Sequence, residues 1–434
     1  MSVTRWRTTG AALTLTLSMV SALDLASTPL SPAEAATAAT PATAAAPGTQ
    51  PSPLPGLDGA LGDLAPRAVV AASITAEYDD NIARSDAAQA LLRGLIRDDT
   101  TTTPRVMVDL ASNLAGAHVF LRGTAGYDAH ANNRQLDRQR TDLQSGVGVA
   151  IGRCSGALQG GYGVRQSDLA DLYGPVVRNQ LETRSVEADA GCDRGAGVTT
   201  RVAVSRTWTT NSAPLQAIAD TDVTRVMPAV AYASPWLGQV SVYGRYDAIV
   251  YPNRVDLNRK TAGFDGLAAG TTLRHDLSAR LSASLDASYV QLTPRQTSPT
   301  RFSGLNYGAA VTYAPTASST LKLDLGRIVK PSERIDANFD VQDFARVSGT
   351  LRLDRRTDLA LGLGQRRDSY ANNNLAIISY LTTDTVSDVS ATLNYRLRRD
   401  VTLSVDGRGE RRAANLAAFS YSDWRAGLAA AVTY

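Results

Sequence analysis

Two cysteines and three histidines are the residues of this sequence that most readily suggest chemistry. Cys154 and Cys192 are the only cysteines. In an exported protein they are candidates for a disulfide, and the alternative is two unpaired thiols. His118, His130 and His275 are far apart in the sequence and show no metal-ligand spacing. No Ser–His pair indicates nucleophilic catalysis. We therefore predict no catalytic residue, no cofactor, no metal site and no enzyme.

An acidic string at the end of the first predicted strand is the most distinctive local motif. It reads Glu77-Tyr78-Asp79-Asp80-Asn81-Ile82-Ala83-Arg84. Asp79, Asp80 and Asn81 suit a turn that ends the strand. Their oxygens could also bind a hard cation such as Ca²⁺. We favour the turn over the cation site.

The elements that must position these residues are β-strands. Near the C-terminus, Ala426, Leu428, Ala430, Val432 and Tyr434 share one face of an alternating stretch. An apolar terminal strand that ends in an aromatic residue resembles the last strand of bacterial outer-membrane barrels. We expect this strand to be recognised by the barrel-assembly machinery and the barrel to sit in outer-membrane lipid.

The same alternation recurs along the chain in segments of about 10–13 residues, the length that crosses a bilayer when tilted. Short connections alternate with longer polar ones, as in outer-membrane barrels. We predict an all-β protein, a transmembrane antiparallel up-and-down β-barrel of about 18 strands. Irregular stretches at 263–266 and 339–344 leave sixteen strands as the main alternative.

One face of each predicted strand is apolar, and the opposite face carries polar or small residues that would line a lumen. Aromatic residues near the strand ends predict two interfacial girdles. The girdle residues are Tyr78, Tyr127, Trp208, Tyr251 and Tyr289 at the loop end, and Tyr232, Trp236, Tyr313, Tyr395 and Tyr434 at the turn end. The lumen-facing candidates are Arg122, Glu187, Asp189, Arg201, Arg245, Asp247, Arg280, Asp286, Asp388, Arg396, Asp406, Arg408 and Glu410.

The N-terminal segment predicts export. Arg5 and Arg7 precede a short apolar stretch, and Ala33-Glu34-Ala35 has the form of a cleavage site. We expect a signal peptide over 1–35, a disordered Ala/Pro/Thr-rich periplasmic segment over 36–68, and the barrel over 69–434.

The net charge of +3 is too small to imply binding to nucleic acid. Residues 87–96 have helix-like apolar spacing, which suggests either a short helix in the first outer loop or a loop without a core.

The string from Glu77 to Arg84, together with the barrel layout over about residues 69–434, resembles a family of outer-membrane porins, the β-barrel porin type 2 proteins. Their first strand often ends in a similar Tyr-Asp-Asp-Asn string followed by an apolar residue and an Arg. Members occur in exopolysaccharide loci of Gram-negative bacteria. The resemblance implies an outer-membrane location and a role in polysaccharide export or surface assembly, without an established substrate.

Three functions are compatible with this sequence. The first is a porin-like channel for small hydrophilic solutes or saccharides, linked to exopolysaccharide export. The second is a barrel closed by its loops that serves as a structural or assembly part of a polysaccharide export system. The third is a soluble secreted carbohydrate-acting β-protein, because soluble sandwiches and propellers also alternate. The mixed charges of the predicted lumen argue against strong ion selectivity, and no signature of trimerisation is visible.

Overall fold

The computed structural model describes residues 66–169, 172, 177–255, 261–295, 301–372 and 381–434. The expected signal peptide, its cleavage site and the segment up to residue 65 lie outside these residues. Arg67 and Ala68, which the sequence assigned to the N-terminal segment, belong to the first strand. No helix in the described ranges is both long enough and apolar enough to cross a membrane.

Eighteen antiparallel strands form one closed sheet. Every strand pairs with its sequence neighbours, and β1 pairs with β18 from Ala71↔Thr433 to Asp79↔Arg425. The strands are β1 Arg67–Asp79, β2 Asp99–Leu114, β3 Ala117–His130, β4 Arg138–Ile151, β5 Cys154–Gln166, β6 Gln180–Gly195, β7 Val198–Asn211, β8 Thr221–Ser234, β9 Gly238–Val255, β10 Thr261–Ser278, β11 Leu281–Pro294, β12 Phe302–Thr316, β13 Ser319–Pro331, β14 Ala337–Arg352, β15 Thr357–Asn372, β16 Thr383–Arg396, β17 Val401–Ala414 and β18 Tyr421–Thr433. The prediction of eighteen strands is confirmed, and sixteen is wrong.

The apolar faces of the strands point out of the barrel. Large apolar side chains there are exposed, for example Ile74 at 53%, Leu285 at 51% and Leu305 at 61%, whereas the inward-facing Ser241 and Ser288 are buried. A soluble protein would bury its apolar face, so this inverted distribution requires lipid around the barrel. The soluble alternative is therefore wrong.

Most predicted girdle residues lie on this outer surface, including Tyr78, Tyr289 and Tyr395. The structure corrects the girdle prediction for Tyr251, which is fully buried inside the barrel rather than exposed at an interface. Its position on β9 shares the inward face with Tyr243 and Asp247, both also buried. An aromatic residue near a strand end does not itself reveal which side of the wall it occupies.

The connections differ at the two ends of the barrel. At the end where β1 begins and β18 ends, β2 and β3 are joined through residues 115–116, and the other turns are also short. At the opposite end, the loops include 80–98 and 167–179. The first loop holds the helix α1, Ala87–Leu92, which begins at the cap residue Asp86, whose side chain accepts a hydrogen bond from the Gln89 amide.

Candidate functional site

A hairpin inside the barrel is the candidate functional site. The pairing of β12 with β13 ends at Tyr307↔Arg327, although both strands continue beyond these residues. The pairing of β13 with β14 continues to Pro331↔Phe339. The outer ends of β13 and β14 therefore leave β12 together. We call residues 328–341 the inner hairpin and residues 332–336 its tip.

Apolar packing holds the inner hairpin against the inward face of the neighbouring strands. Phe339 makes edge-to-face contacts with Phe264 on β10, at 5.6 Å between ring centroids, and with Phe302 on β12, at 5.8 Å. Val290 and Leu292 of β11 complete the same buried cluster. The sequence prediction that inward faces are polar or small is wrong here, because this part of the wall packs against protein rather than water.

Two side chains of β9 bind the backbone of the inner hairpin. The Tyr251 hydroxyl donates a hydrogen bond to the carbonyl of Asn338. Arg254 donates from Nη1 to the carbonyl of Ala337, at 3.2 Å, and to Oδ1 of Asn338, at 2.8 Å. The Arg254 guanidinium also stacks 4.2 Å above the Tyr251 ring. These polar contacts fix the direction in which the hairpin enters the lumen.

The tip of the inner hairpin reaches the opposite wall. Glu333 lies 2.9 Å from Arg165 at the outer end of β5, nine strands from β14 in a barrel of eighteen. Arg334 pairs with Asp336 at 2.9 Å and stacks on the rings of Tyr370 and Phe419, at 5.2 and 5.0 Å. The tip therefore crosses the lumen and contacts residues from several sides of it.

Three outer loops pack together at the same end of the barrel. Ala90 of α1 is buried with Leu136, from the β3–β4 loop, and with Leu169 and Leu172, from the β5–β6 loop. Arg93 donates to the carbonyl of Leu172, at 3.2 Å. The first loop thus has a helix and a core, which decides between the two alternatives that the sequence left open.

The acidic string after β1 joins the two strands that close the barrel. Asp80 Oδ1 accepts a hydrogen bond from the Trp424 amide, at 2.6 Å, and Asn81 Nδ2 donates to the carbonyl of Ser422, at 3.0 Å. Asp79 accepts two hydrogen bonds from Arg84, at 3.1 and 2.6 Å, and one from the Asn81 amide. The string therefore forms a turn whose carboxylates accept hydrogen bonds from protein donors.

Arg84 lies at the centre of this turn with a φ of 49°, an uncommon backbone conformation for a residue other than glycine. Its guanidinium contacts Asp423 on β18, at 3.2 Å, as well as Asp79. Burial lowers the pKa of Arg84, but Asp79 and Asp423 raise this pKa by more, so that it lies above its ordinary value. Arg84 is therefore a permanent cation between carboxylates of the first and last strands.

The structure brings several predicted lumen residues into ion pairs on the inward face. Arg201 pairs with Asp189 at 2.7 Å, Arg245 with Asp247 at 2.9 Å, and Arg408 with Glu410 at 2.8 Å. Other predicted residues contact groups that the prediction omitted: Arg122 with Asp109, Asp286 with the Tyr243 hydroxyl, Asp388 with Arg346, and Arg396 with Asp358. Most of the charge on these walls is thus locally balanced.

Three predicted residues stand apart from these pairs. Glu187 lies opposite Gln159 on β5, and Asp406 lies opposite Gly427 on β18. The structure corrects the lumen prediction for Arg280. This residue lies in the exposed turn between β10 and β11 and donates a hydrogen bond to the Pro315 carbonyl of a neighbouring turn. The strand begins one residue later than the alternation suggested.

Sequence reasoning missed the residues of the inner hairpin and those that hold it. Arg165, Arg254, Glu333 and Arg334 have no spacing that marks them. The available signal was the loss of alternation at 263–266 and 339–344, which contain Phe264 and Phe339. A strand that packs on both faces loses its period of two, and here that loss marks the site.

Cys154 and Cys192 lie directly opposite each other on β5 and β6, and the structure joins them in a disulfide of 2.10 Å. Within the described ranges, no group of three or more His, Cys, Asp or Glu side chains is placed to hold a metal ion.

A closed barrel with an apolar outer surface and charged inner walls is an outer-membrane β-barrel of the porin class. The chain belongs to the family described as putative beta-barrel porin 2, whose model matches residues 69–434. Family and fold indicate the outer membrane of a Gram-negative bacterium, and they point to a channel rather than an enzyme. A comparison with curated proteins found no match.

Among solved structures, the chain is similar to OccK2 (OpdF) of Pseudomonas aeruginosa, with 9% identity and a TM-score of 0.45 over 84% of this chain and 97% of that chain. It is similar to OpdL of the same organism, with 11% identity and a TM-score of 0.45 over 85% and 98%. It is also similar to a BenF-like porin from Pseudomonas fluorescens Pf-5, with 10% identity and a TM-score of 0.45 over 86% and 100%.

Proposed function

We propose that the protein is a constricted channel for small hydrophilic solutes, with saccharides as the principal class, and that it works beside an exopolysaccharide export system. The observation that carries the channel is the inner hairpin. A barrel of 16–18 strands encloses an aqueous lumen wide enough for solutes. The hairpin crosses that lumen, and its Glu333 lies 2.9 Å from Arg165 on the opposite wall. The hairpin would therefore set the size of solute that passes.

The charges on the inner walls support a saccharide rather than an ion as the solute. Pairs such as Arg201–Asp189 and Arg245–Asp247 leave little net charge to select an ion. Paired charges and hydroxyls instead offer both donors and acceptors to a neutral polyhydroxylated solute. The predicted lumen residues become lining residues of this channel in our proposal. The link to exopolysaccharide export is supported only by the family resemblance.

Conductance of the purified full-length protein in planar bilayers tests the channel. We expect a steady current that is smaller than that of a variant in which residues 332–336 are replaced by an Asn-Gly turn, because the shortened hairpin no longer reaches β5. Liposomes that contain the shortened variant should also swell faster in neutral sugars, and admit larger sugars, than liposomes that contain the native protein. Deletion of the gene should reduce secreted polysaccharide, and unchanged secretion would remove the exopolysaccharide link alone.

A second candidate function is favoured by the extent of loop packing at the outer end. The tip crosses the lumen, and α1 packs with two other loops. A barrel closed in this way could instead hold partner proteins of a polysaccharide export system. Absence of current from both the native protein and the shortened variant, together with capture of such partners on native protein, would establish this function in place of the channel.

A further inference from the structure

A cavity of about 250 Å³ lies between the tip of the inner hairpin and the inward faces of β6, β7 and β8. This volume is slightly below the ~300–1,000 Å³ typical of ligand pockets. Pro331, Ser332 and Glu333 form its hairpin side. The cavity is thus part of the constriction rather than of the wide lumen.

Hydroxyl groups dominate the wall side of this cavity. Ser205, Thr207 and Thr209 alternate along β7 and all face the cavity, and Thr221 of β8 lies beside them. These four side chains are buried or half-buried. None of the four hydroxyls makes a hydrogen bond to another group within the described part of the chain. They are therefore available to a ligand, and each can donate one hydrogen bond and accept others.

The remaining lining residues exclude two other classes of ligand. Arg225 is held by Asp247 at 2.6 Å, and Glu333 by Arg165 at 2.9 Å, so both charges at the cavity are already paired. An ionic ligand would find no unpaired counter-charge there. Leu181 and Val223 add apolar surface, but the hydroxyls would remain unsatisfied under a purely apolar ligand.

We propose that this cavity is a binding site for a neutral sugar ring, whose hydroxyls bond to the β7 ladder and whose C–H face packs on Leu181 and Val223. The inference deepens the proposed function, because it assigns a solute class to one place in the constriction. A site built to bond hydroxyls discriminates against ligands that lack them. The paired charges disfavour the same ring once it carries a carboxylate.

Calorimetry on the detergent-solubilised full-length protein tests the site without requiring conduction. Glucose and glucuronate, the same ring without and with a carboxylate, are the probes. We expect glucose to bind more tightly than glucuronate. Thr207→Val and Thr209→Val keep the side-chain shape and remove the hydroxyl. Each should weaken glucose binding by about threefold to tenfold, the effect of one hydrogen bond.

Thr210→Val is the matched control, since Thr210 is exposed on the opposite face of β7. It should leave glucose binding unchanged. Absence of glucose binding, tighter binding of glucuronate, or equal loss in all three variants would overturn the proposed site. Binding of glucose to a protein that carries no current would refute the channel but support the site. Current without glucose binding would support the channel and refute the site.

Discussion

At the scale of single residues, the two faces of each strand meet different solvents. Leu285 and Ser284 are neighbours on β11, yet Leu285 is exposed on the outer surface and Ser284 faces inward. A charge is costly in lipid and tolerated in water. The effect of a substitution on stability therefore depends on whether its position faces the lipid or the lumen.

Leu285→Arg should lower the free energy of unfolding by about 2–4 kcal/mol if the site lies near the bilayer midplane. Ser284→Arg should be nearly neutral to folding and should change conductance. Urea unfolding of each variant after refolding into lipid vesicles measures the difference. Equal stability of the two variants would contradict the assignment of the faces.

Arg84 joins the carboxylates of the first and last strands. Arg84→Ala leaves the buried Asp79 and Asp423 with Arg425 as their shared cation. Loss of one partner from a buried ion pair costs about 3–5 kcal/mol, and Arg425 should keep the loss of unfolding free energy near the lower value. Arg84→Lys should restore only part of it, because lysine cannot bind a carboxylate through two donors.

Arg184→Ala serves as the control for Arg84. Arg184 contacts Glu182 on an exposed part of β6, and an exposed ion pair contributes little. Its urea midpoint should match that of the native protein. A midpoint for Arg84→Ala that also matches would show that the ion pairs of Arg84 do not stabilise the closed barrel.

At the scale of elements, the inner hairpin is paired with the wall on one side only. Its β14 side stays paired with β15 as far as Ala337↔Asn372, whereas its β13 side has no pairing with β12 beyond Arg327. The Phe339 cluster and the bonds from Tyr251 and Arg254 add to this one-sided pairing. Weakening these contacts should loosen the hairpin while β1 and β18, which close the barrel, remain paired.

Phe339→Ala should loosen the inner hairpin. A buried Phe→Ala change costs about 3–5 kcal/mol, so the tip should open more often although β14 stays paired with β15. Trypsin should then cut after Arg334, where the native protein resists, and single-channel current should rise. Leu323→Ala on the outer face of β13 is the control and should leave digestion unchanged. Identical digestion of Phe339→Ala and native protein would refute the role of the cluster.

The disulfide is also a property of paired elements. Strands β5 and β6 place Cys154 and Cys192 opposite each other, and the periplasm is oxidising. We expect no free thiol when the denatured, unreduced protein is labelled with maleimide, and two after reduction. The bridge should stabilise by about 2–4 kcal/mol, or less where the sheet already restrains both residues. Two free thiols before reduction would rule it out.

At the scale of the whole molecule, the outer surface determines where the protein can reside. Large apolar side chains encircle the barrel, and this surface requires lipid. The signal peptide over 1–35, the periplasmic segment over 36–68 and recognition of the C-terminal strand by the barrel-assembly machinery remain predictions of the sequence.

We expect the mature chain to begin near Ala36 and to fractionate with the outer membrane. The positive n-region, the short apolar stretch and the Ala33-Glu34-Ala35 site are the reasons. Intact-mass spectrometry of the purified protein locates the N-terminus, and density fractionation locates the membrane. An uncleaved chain in the inner membrane would contradict both the signal peptide and the outer-membrane location.

The sequence by itself determined the barrel, its eighteen strands and the outward face of each strand. It could do so because lipid outside and water inside impose a period of two on every strand, as at Leu285 and Ser284. Facing residues on neighbouring strands, such as Cys154 and Cys192, followed from the same regular pairing. Only the tertiary structure decided what happens inside the barrel. Glu333 meets Arg165, and Phe339 meets Phe264, across distances in the chain that no local period records. Where the hairpin packs against the wall, neither face meets water or lipid, so the pattern that revealed the barrel is absent at its candidate site.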